Sequence, residues 1–430
     1  MKKITYVMLM AGCLIGFAVS SAMAQTETVT KEKWVQEVAP TTENLNDVCA
    51  IDANTAWAVG DGGIILKRHA NGWWERIAEY EYSYQSYNFK GVHALKSNSK
   101  YVWIVGVNRA DGKGVLLKTT TGNNETPTWD VVTDIYQSLP TAFKSVKFND
   151  ATHGYIIGEN GTILQTTNGI DWVRRPSPPT WNSYDNNCTR DTLTVGYNSF
   201  WLDPANAANV WASGDNFGTM VNTYNSGLTW DTTGSRPFDK EYKFPQTITY
   251  QPYGTKYPNW GCDGINMSSF YTGLGFGRVG YTTNGGNTWQ TQTDAYKFPD
   301  TTYWVKDVSV GGNDLWAVGT NGIIQKFPNR NMNAGIMVGR HDWGYDLNAI
   351  SMCSDGNSGY VVGAGGIIMK GTKSAYYALQ PPVIEWDLET PSLYKIKIEK
   401  IAPISVIPTC KVEVHHEHGT RYVVEFRKVT

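Results

Sequence analysis

Short apolar runs separated by glycine-rich turns repeat along most of the chain. Seven segments consist of an apolar run, a glycine-rich reversal and a second apolar run, and the clearest occupy residues 56–67, 154–166 and 315–324. Glycine adopts positive φ without steric cost, as tight turns between paired strands require. Each segment therefore predicts a β-hairpin.

Two further strands flank each hairpin. An apolar strand precedes it, as at residues 45–48 and 305–308, and several units continue into another turn that ends on tryptophan, as at residues 166–172 and 282–289. Four-stranded units repeated at this spacing are typical of β-propellers, in which each blade buries its faces against its neighbours. The predicted fold is therefore all-β, a seven-bladed β-propeller. The hairpin glycines, spaced 44 to 59 residues apart, are Gly60, Gly106, Gly158, Gly214, Gly273, Gly319 and Gly363.

The two ends of the repeat complement each other. The last unit stops near Thr372 without its own outer strand, while residues 34–38 match the missing strand. We therefore predict that the N-terminal strand closes the last blade, which removes an exposed sheet edge. Alternating residues after Pro381 predict strands, including a hairpin around residues 418–420. The predicted propeller spans 25–378, and a short C-terminal β extension spans 379–430.

The first 24 residues predict a secretory signal peptide. Lys2 and Lys3 precede an apolar run, and residues 21–24 form a small-residue cleavage site. A transmembrane anchor is the less favoured alternative because the run is near the lower length limit for a span. A lipoprotein attached through Cys13 is a second alternative. We expect an exported mature chain without a transmembrane segment, in the periplasm, at the cell surface or outside the cell.

Five cysteines remain after removal of the leader, so at least one thiol is free or pairs with another chain. Export permits disulfides. We expect Cys49 to lie near Cys353 across the seam between the first and last blades, and Cys188 with Cys262 is the second candidate pair. No C-x-x-C motif is present, so the cysteines indicate neither a zinc site nor a redox motif.

Composition narrows the function classes. Charged residues make up only 18% of the chain, aromatic residues and glycine are abundant, and the net charge is −2. No basic surface for nucleic acid is implied. His415, His416 and His418 invite a metal interpretation, but alternate residues of a strand face opposite sides, so surface histidines are the favoured interpretation. We expect no metal and no cofactor.

The repeated unit resembles that of the BNR-like, or Asp-box, propellers, and especially the photosystem II assembly and stability factor family. The pattern aromatic-x-V-G-x-x-G-x-I-L-x-T followed by T-x-N-G-G-x-T-W carries the resemblance over residues 34–372. It implies that the second motif is a structural turn, here with asparagine in place of the usual aspartate. The turn residues are Asn168, Asn225, Asn284, Gly286 and Trp289.

The connections between units are long and aromatic, and a propeller gathers them on one face. Rigid aromatic side chains beside polar groups suit a sugar or an extended polymer. The alternative interpretation is that these side chains pack the loops onto the blades. The candidate ligand-binding residues are Trp181, Tyr184, Tyr253, Tyr257, Trp260, Tyr303 and Trp304.

The resulting hypothesis is an exported, non-catalytic binding or assembly module. Its expected ligand is a glycan or another envelope component, with a protein client as the second candidate. One alternative is a glycoside hydrolase, which needs two carboxylates at catalytic separation, with Asp239, Glu241 and Asp300 as candidates. Another is a structural surface or matrix protein. Scattered arginines do not form the cluster that a sialidase uses to hold its substrate's carboxylate.

Overall fold

The structure is a computed structural model of the chain. The residues that it describes are 26–77, 85–132, 141–177, 180–181, 190–191, 196–214, 220–230, 260–275, 277–292, 303–340, 344–379, 394–397, 409–416 and 421–427. They divide into two compact units, one containing 33–372 and the other containing the described parts of 1–32 and 373–430.

The described strands are numbered along the chain. They are β1 (Thr26–Glu37), β2 (Leu45–Ala50), β3 (Ala56–Gly60), β4 (Ile65–Arg68), β5 (Trp74–Arg76), β6 (Tyr87–Ala94), β7 (Val102–Asn108), β8 (Gly114–Thr119), β9 (Asp130–Val132), β10 (Phe143–Phe148), β11 (Gly154–Gly158), β12 (Ile163–Thr166), β13 (Val173–Arg174), β14 (Thr180–Trp181), β15 (Arg190–Asp191), β16 (Tyr197–Leu202), β17 (Val210–Gly214), β18 (Met220–Thr223), β19 (Cys262–Asn266), β20 (Ser269–Gly273), β21 (Val279–Thr282), β22 (Gln290–Thr291), β23 (Val305–Gly311), β24 (Asp314–Gly319), β25 (Ile323–Phe327), β26 (Ile336–Arg340), β27 (Leu347–Met352), β28 (Ser358–Gly363), β29 (Ile368–Leu379), β30 (Tyr394–Lys397), β31 (Thr409–His416) and β32 (Arg421–Arg427).

Seven antiparallel sheets form the blades, which confirms the predicted seven-bladed β-propeller. In chain order they are β2–β5, β6–β9, β10–β13, β16–β18, β19–β22, β23–β26 and β27–β29 with β1. The fourth blade has three strands among the described residues. The first strand of each blade is the inner one, and the chain then moves outward strand by strand.

The N-terminal strand closes the seventh blade, as predicted, because the strand order there is β1-β29-β28-β27. Trp34 of β1 packs edge to face on Trp316 of blade 6 at a centroid distance of 5.5 Å. Glu37 accepts hydrogen bonds from Arg68 at 2.6 and 2.8 Å and from the Trp74 indole at 2.8 Å. The closing strand is therefore bonded to blade 1 across the seam.

The hairpin glycines are explained by close approach of the backbone. Gly60 has an extended φ of −157°. A Cβ atom at Gly60, Gly158 or Gly363 would lie 2.2 Å from a backbone carbonyl oxygen at the start of an inner strand. The positive φ angles that the turn needs occur one or two residues later, as at Gly62 with φ +64°. Any side chain at these glycines would displace the adjacent inner strand.

The hydrophobic core is divided among the blade interfaces. Within the described residues, seven buried clusters each join two neighbouring blades. The tryptophan that ends the outer turn packs edge-on against the preceding blade, as with Trp129 on Trp57 and Trp289 on Trp211, with centroid distances of 5.6 and 5.8 Å. The repeated tryptophan thus fixes each blade to its neighbour.

The C-terminal unit contains a separate sheet, β30-β31-β32. The antiparallel pairing of β31 with β32 agrees with the hairpin that alternation predicts, from Thr409 opposite Arg427 to His415 opposite Arg421. Among the described residues there is no helix long and apolar enough to cross a membrane. The side chains of the histidine-rich segment lie outside those that the structure describes.

The predicted disulfides are not formed. Cys49, Cys262 and Cys353 are free and buried, and Cys188 lies outside the described residues. Cys49 belongs to the cluster between blades 1 and 2, whereas Cys353 belongs to the cluster between blades 7 and 1. The two thiols therefore lie in different blade interfaces, although the sequence pattern assigns the two cysteines to the first and last blades, which meet at the seam.

Candidate functional site

The inner strands enclose a central cavity of about 790 Å³. Every blade contributes to its wall, because β2, β6, β10, β16, β19, β23 and β27 are the first strands of their sheets. The wall combines apolar side chains with lysine, asparagine, serine and aspartate side chains. We treat this cavity, the channel, as the candidate functional site.

A β-bulge at the start of six inner strands produces a ring of polar side chains at one end of the channel. The pairing register shifts there, for example between Leu45 and Asp47 and between Val305 and Asp307. A bulge leaves one extra residue unpaired, and that residue lines the channel. These residues, called the mouth ring below, are Asn46, Lys90, Lys144, Asn198, Lys306 and Asn348.

The three lysines of the mouth ring each form an ion pair at 2.9 Å. Their side chains are between 20% and 30% exposed, so they reach solvent. Their acidic partners lie on the hairpin turns or just before an inner strand, and the local charges therefore largely cancel. The pairs are Lys90 with Asp61, Lys144 with Glu159 and Lys306 with Asp346.

The asparagines of the mouth ring join neighbouring blades. The Asn46 amide donates to the carbonyl of Phe89 in blade 2 at 2.8 Å, and Asn348 donates to the carbonyl of Leu45 in blade 1 at 2.9 Å. Lys306 donates to the Asn348 amide oxygen at 2.9 Å. The mouth is therefore a fixed hydrogen-bonded rim on a rigid scaffold.

Three aspartates lie deeper in the channel and also connect blades. Each carboxylate accepts one backbone N–H from its own strand and one from the next blade, so both oxygens are bonded. The distances are, for Asp47, 2.8 Å to Val48 and 2.8 Å to Val92; for Asp263, 2.8 Å to Gly264 and 2.7 Å to Val310; and for Asp307, 2.9 Å to Val308 and 2.9 Å to Ile350.

Burial perturbs the acids of the channel. It raises the pKa of Asp47 to about 6. Burial, together with the negative charge of Asp47, raises the pKa of Asp307 to about 8. The pKa of Asp263 is also raised by burial. Charged carboxylates are less well hydrated inside the channel than in bulk water, so the neutral acids are favoured.

Lys147 and His93 face the same space. Burial disfavours the ammonium of Lys147, but the nearby negative groups, led by Asp263, outweigh it and raise the lysine pKa. Burial lowers the pKa of His93 to about 3, so its imidazole is neutral at pH 7. His93 Nε2 lies 2.9 Å from the carbonyl oxygen of Phe148, which only accepts, so Nε2 carries the proton.

The structure places three of the seven predicted ligand-binding aromatics. Trp260 lines the channel and packs edge to face on Trp304 at 6.1 Å, while Tyr303 is half-buried and packs against the core between blades 5 and 6. This pair adjoins Lys306 of the mouth ring. Tyr184, Tyr253, Tyr257 and the side chain of Trp181 lie outside the described residues, as do Asp239, Glu241 and Asp300.

The predicted turn residues form local hydrogen bonds on the outer part of the blades. Asn284 Oδ1 accepts the backbone N–H of Thr288 at 2.9 Å, and Thr282 Oγ1 accepts the N–H of Gly286 at 3.0 Å. Gly286 has φ +85°, and Trp289 is buried. Asn225 repeats the arrangement with Thr229 at 3.0 Å, and Asn168 accepts from Asp171 at 2.8 Å. These contacts hold the turns themselves.

Sequence reasoning did not identify the channel residues. Asp47, Asp307 and the mouth ring lie inside strands recognised only as the upstream strands of each hairpin. In the sequence, these residues are marked only by two consecutive polar residues within a strand that also contains apolar residues, as in Asn46-Asp47 and Lys306-Asp307. A regular strand would place such neighbours on opposite faces, and only the bulge brings both into the channel.

Known proteins share this architecture. Residues 16–167 match the family model of the photosynthesis system II assembly factor YCF48. A structure of YCF48 bound to D1 peptide superposes with a TM-score of 0.57 at 14% identity, covering 80% of this chain and 99% of that chain. YCF48 from Cyanidioschyzon merolae gives 0.56 at 19% identity, covering 78% and 98%.

A glycosidase propeller is similar as well. The family 74 xyloglucanase from Xanthomonas campestris superposes with a TM-score of 0.55 at 11% identity, covering 78% of this chain and 53% of the enzyme. This chain therefore matches about half of that enzyme. No curated protein matches the sequence.

Proposed function

We propose that this BNR-like β-propeller, which resembles the photosystem II assembly factor family, is a non-catalytic binding module for an extended segment of a client protein. The observation that carries the proposal is the mouth of the channel, where a polar ring from six blades adjoins the Trp260–Trp304 pair. The related YCF48 structure with a bound D1 peptide supports a polypeptide as the ligand class.

The mouth offers the groups that an extended peptide needs. A lysine ammonium has three donors, and Lys90 and Lys144 each use one in their ion pairs within the described residues. Their remaining donors suit peptide carbonyl oxygens. The edge-to-face tryptophan pair offers a rigid apolar contact for a side chain of the client. The rim is already ordered by its own bonds, so binding orders few protein side chains.

The channel acids support a non-catalytic role. Asp47, Asp263 and Asp307 each use both carboxylate oxygens to hold backbone amides of two blades. A glycosidase acid or nucleophile must instead reach the scissile bond from a cleft. We include export through the predicted signal peptide in the proposal, and a glycan or another envelope component is the competing ligand.

Selection from a random-sequence displayed peptide library on the immobilised mature chain tests the proposal. The affinity of the selected peptides is then measured for the parent protein and for Lys306→Met and Trp304→Ala. We expect each variant to weaken binding by about tenfold or more, as loss of a charged hydrogen bond or a buried aromatic contact does. Lys113→Met, whose side chain is 50% exposed and does not line the channel, is the control and should bind unchanged.

Two results would contradict the proposal. One is the absence of any enriched peptide, and the other is peptide binding that both mouth variants leave intact. Xyloglucan and cellulose are assayed in parallel for retention and for release of reducing ends. Retention of a glycan without peptide binding would favour the competing ligand, and release of reducing ends would overturn the non-catalytic assignment.

A further inference from the structure

We propose that the middle of the channel binds a compact zwitterion, a small solute with one ammonium and one carboxylate group, between Asp47 and Asp307 on one side and Lys147 on the other. This inference goes beyond the proposed client binding, which concerns the mouth. It depends on the cavity, on the charges that line it and on the bonds that those charges do and do not make.

The first observation is space between opposite charges. Asp47, Asp307 and Lys147 all line the cavity of about 790 Å³. The Lys147 ammonium makes no hydrogen bond or ion pair with any residue that the structure describes. It still responds electrostatically to Asp47, Asp263 and Asp307. The ammonium and the carboxylates therefore influence one another electrostatically without forming a hydrogen bond or an ion pair, and all of them line the same cavity.

The second observation is the arrangement of the acids. Asp47 of blade 1 and Asp307 of blade 6 occupy equivalent bulge positions on either side of Ala349 in blade 7. Alanine is small, so the two carboxylates are not separated by a large side chain. Each has about four acceptor positions and gives two to backbone amides, which leaves acceptors for a ligand. Mutual repulsion between them is relieved by a cation.

The balance of charge selects the ligand class. A simple anion attracted to Lys147 is repelled by the ionised channel acids, and a simple cation attracted to Asp47 and Asp307 is repelled by Lys147. A solute that carries both charges satisfies both sides at once. The neutral imidazole of His93 and the hydroxyl of Ser145 also line the cavity, as do Asp263 and Lys96. The Lys96 ammonium donates to the carbonyl of Met352 at 3.3 Å. A buried charge costs less free energy when an opposite charge pairs with it.

Calorimetric titration of the mature chain at pH 8.5, above the Asp307 pKa of about 8, tests the inference. The probes are glycine, β-alanine, 4-aminobutyrate and 6-aminohexanoate, which differ in the separation of their two charges, with acetate and ethylamine as single-charge controls. We expect at least one zwitterion to bind with a Kd of about 1 mM or tighter, and neither control to bind. Binding of acetate or ethylamine as tightly as of every zwitterion, or binding of no probe, would overturn the proposal.

Variants locate the site. Lys147→Met and Asp307→Asn should each weaken the best zwitterion by about tenfold or more, as loss of a charged hydrogen bond does. Lys113→Met removes an exposed lysine outside the channel and should leave the affinity unchanged. Unchanged affinity in both channel variants would place the solute elsewhere. Peptide binding at the mouth is measured separately, so failure of one proposal does not imply failure of the other.

Discussion

Removal of the Glu37 carboxylate should open the seam that closes the propeller. Glu37 lies on β1, and its carboxylate accepts two hydrogen bonds from Arg68, at 2.6 and 2.8 Å, and one from the Trp74 indole at 2.8 Å. The side chains of Glu37 and Arg68 are 15% and 4% exposed. In Glu37→Ala the guanidinium stays buried without its anionic partner, and the Trp74 N–H loses its acceptor.

The magnitude follows from what Arg68 retains. Breaking a buried ion pair typically costs about 3–5 kcal/mol. Arg68 still donates to the carbonyl of Asn54 at 2.5 Å and lies 5.3 Å from the ring centroid of Tyr360. These contacts compensate part of the loss, so we expect the free energy of unfolding to fall by about 3 kcal/mol, near the lower end of that range.

Urea denaturation of the full mature chain, followed by tryptophan fluorescence, measures the effect. Arg68→Ala and the double variant complete a cycle that isolates the coupling between the two side chains. Lys113→Ala is the matched control, because the ion pair of this lysine with Asp111 is 3.7 Å long and about half exposed. The control should change stability by less than about 1 kcal/mol. A Glu37→Ala loss as small as the control's, or a coupling energy near zero, would show that this buried pair does not stabilise the seam.

Three further predictions concern the turns and the channel. Gly158→Ala should destabilise the protein strongly in thermal unfolding, because the added Cβ would lie 2.2 Å from the Ala142 carbonyl oxygen; a normal melting temperature would contradict this. Asn284→Ala should cost about 1 kcal/mol in urea denaturation, since its amide oxygen accepts a turn N–H, whereas Asn284→Asp, which retains that acceptor, should be nearly neutral. The raised pKa of Asp307, about 8 against an ordinary 3.8, means that burial favours its protonated form, so this group's stabilising contribution is present below pH 3.8 and is lost as the pH rises to about 8. Between these pH values the free energy of unfolding of Asp307→Asn should fall less than that of the parent. Parallel curves of unfolding free energy against pH for the variant and the parent would contradict this prediction.

Much of the fold could be predicted from the sequence because a propeller repeats one local solution. The apolar runs, the hairpin glycines and the terminal tryptophans recur in each unit, and residues 34–38 match the strand missing from the last one. The structure confirms the seven blades and their closure by β1. The reason for glycine at Gly60 differs from the expected one, because a close approach between strands is visible only in three dimensions.

The site was harder to predict, since it depends on bulges and on which blade face a residue occupies. In the sequence, Asp47 and Asp307 look like ordinary polar residues of a strand, and only the register shift at the bulge directs them toward the channel. The disulfide expectation failed for a related reason. Cys49 faces blade 2 and accepts a hydrogen bond from Ala94 N at 3.3 Å, whereas Cys353 lies between blades 7 and 1. Proximity of strands in sequence order does not specify the direction of a side chain.

Site-specific photo-cross-linking tests client binding at the mouth most directly. Benzoylphenylalanine is introduced in the producing cells at one of two positions. Tyr345 is 48% exposed and precedes Asp346, the ion-pair partner of Lys306 in the mouth ring, and Trp73 is 49% exposed on an outer turn of blade 1. We expect a discrete protein adduct from Tyr345, identified by mass spectrometry as one extended client segment, and none from Trp73. Equal adducts from both positions, or no polypeptide adduct from Tyr345, would contradict it.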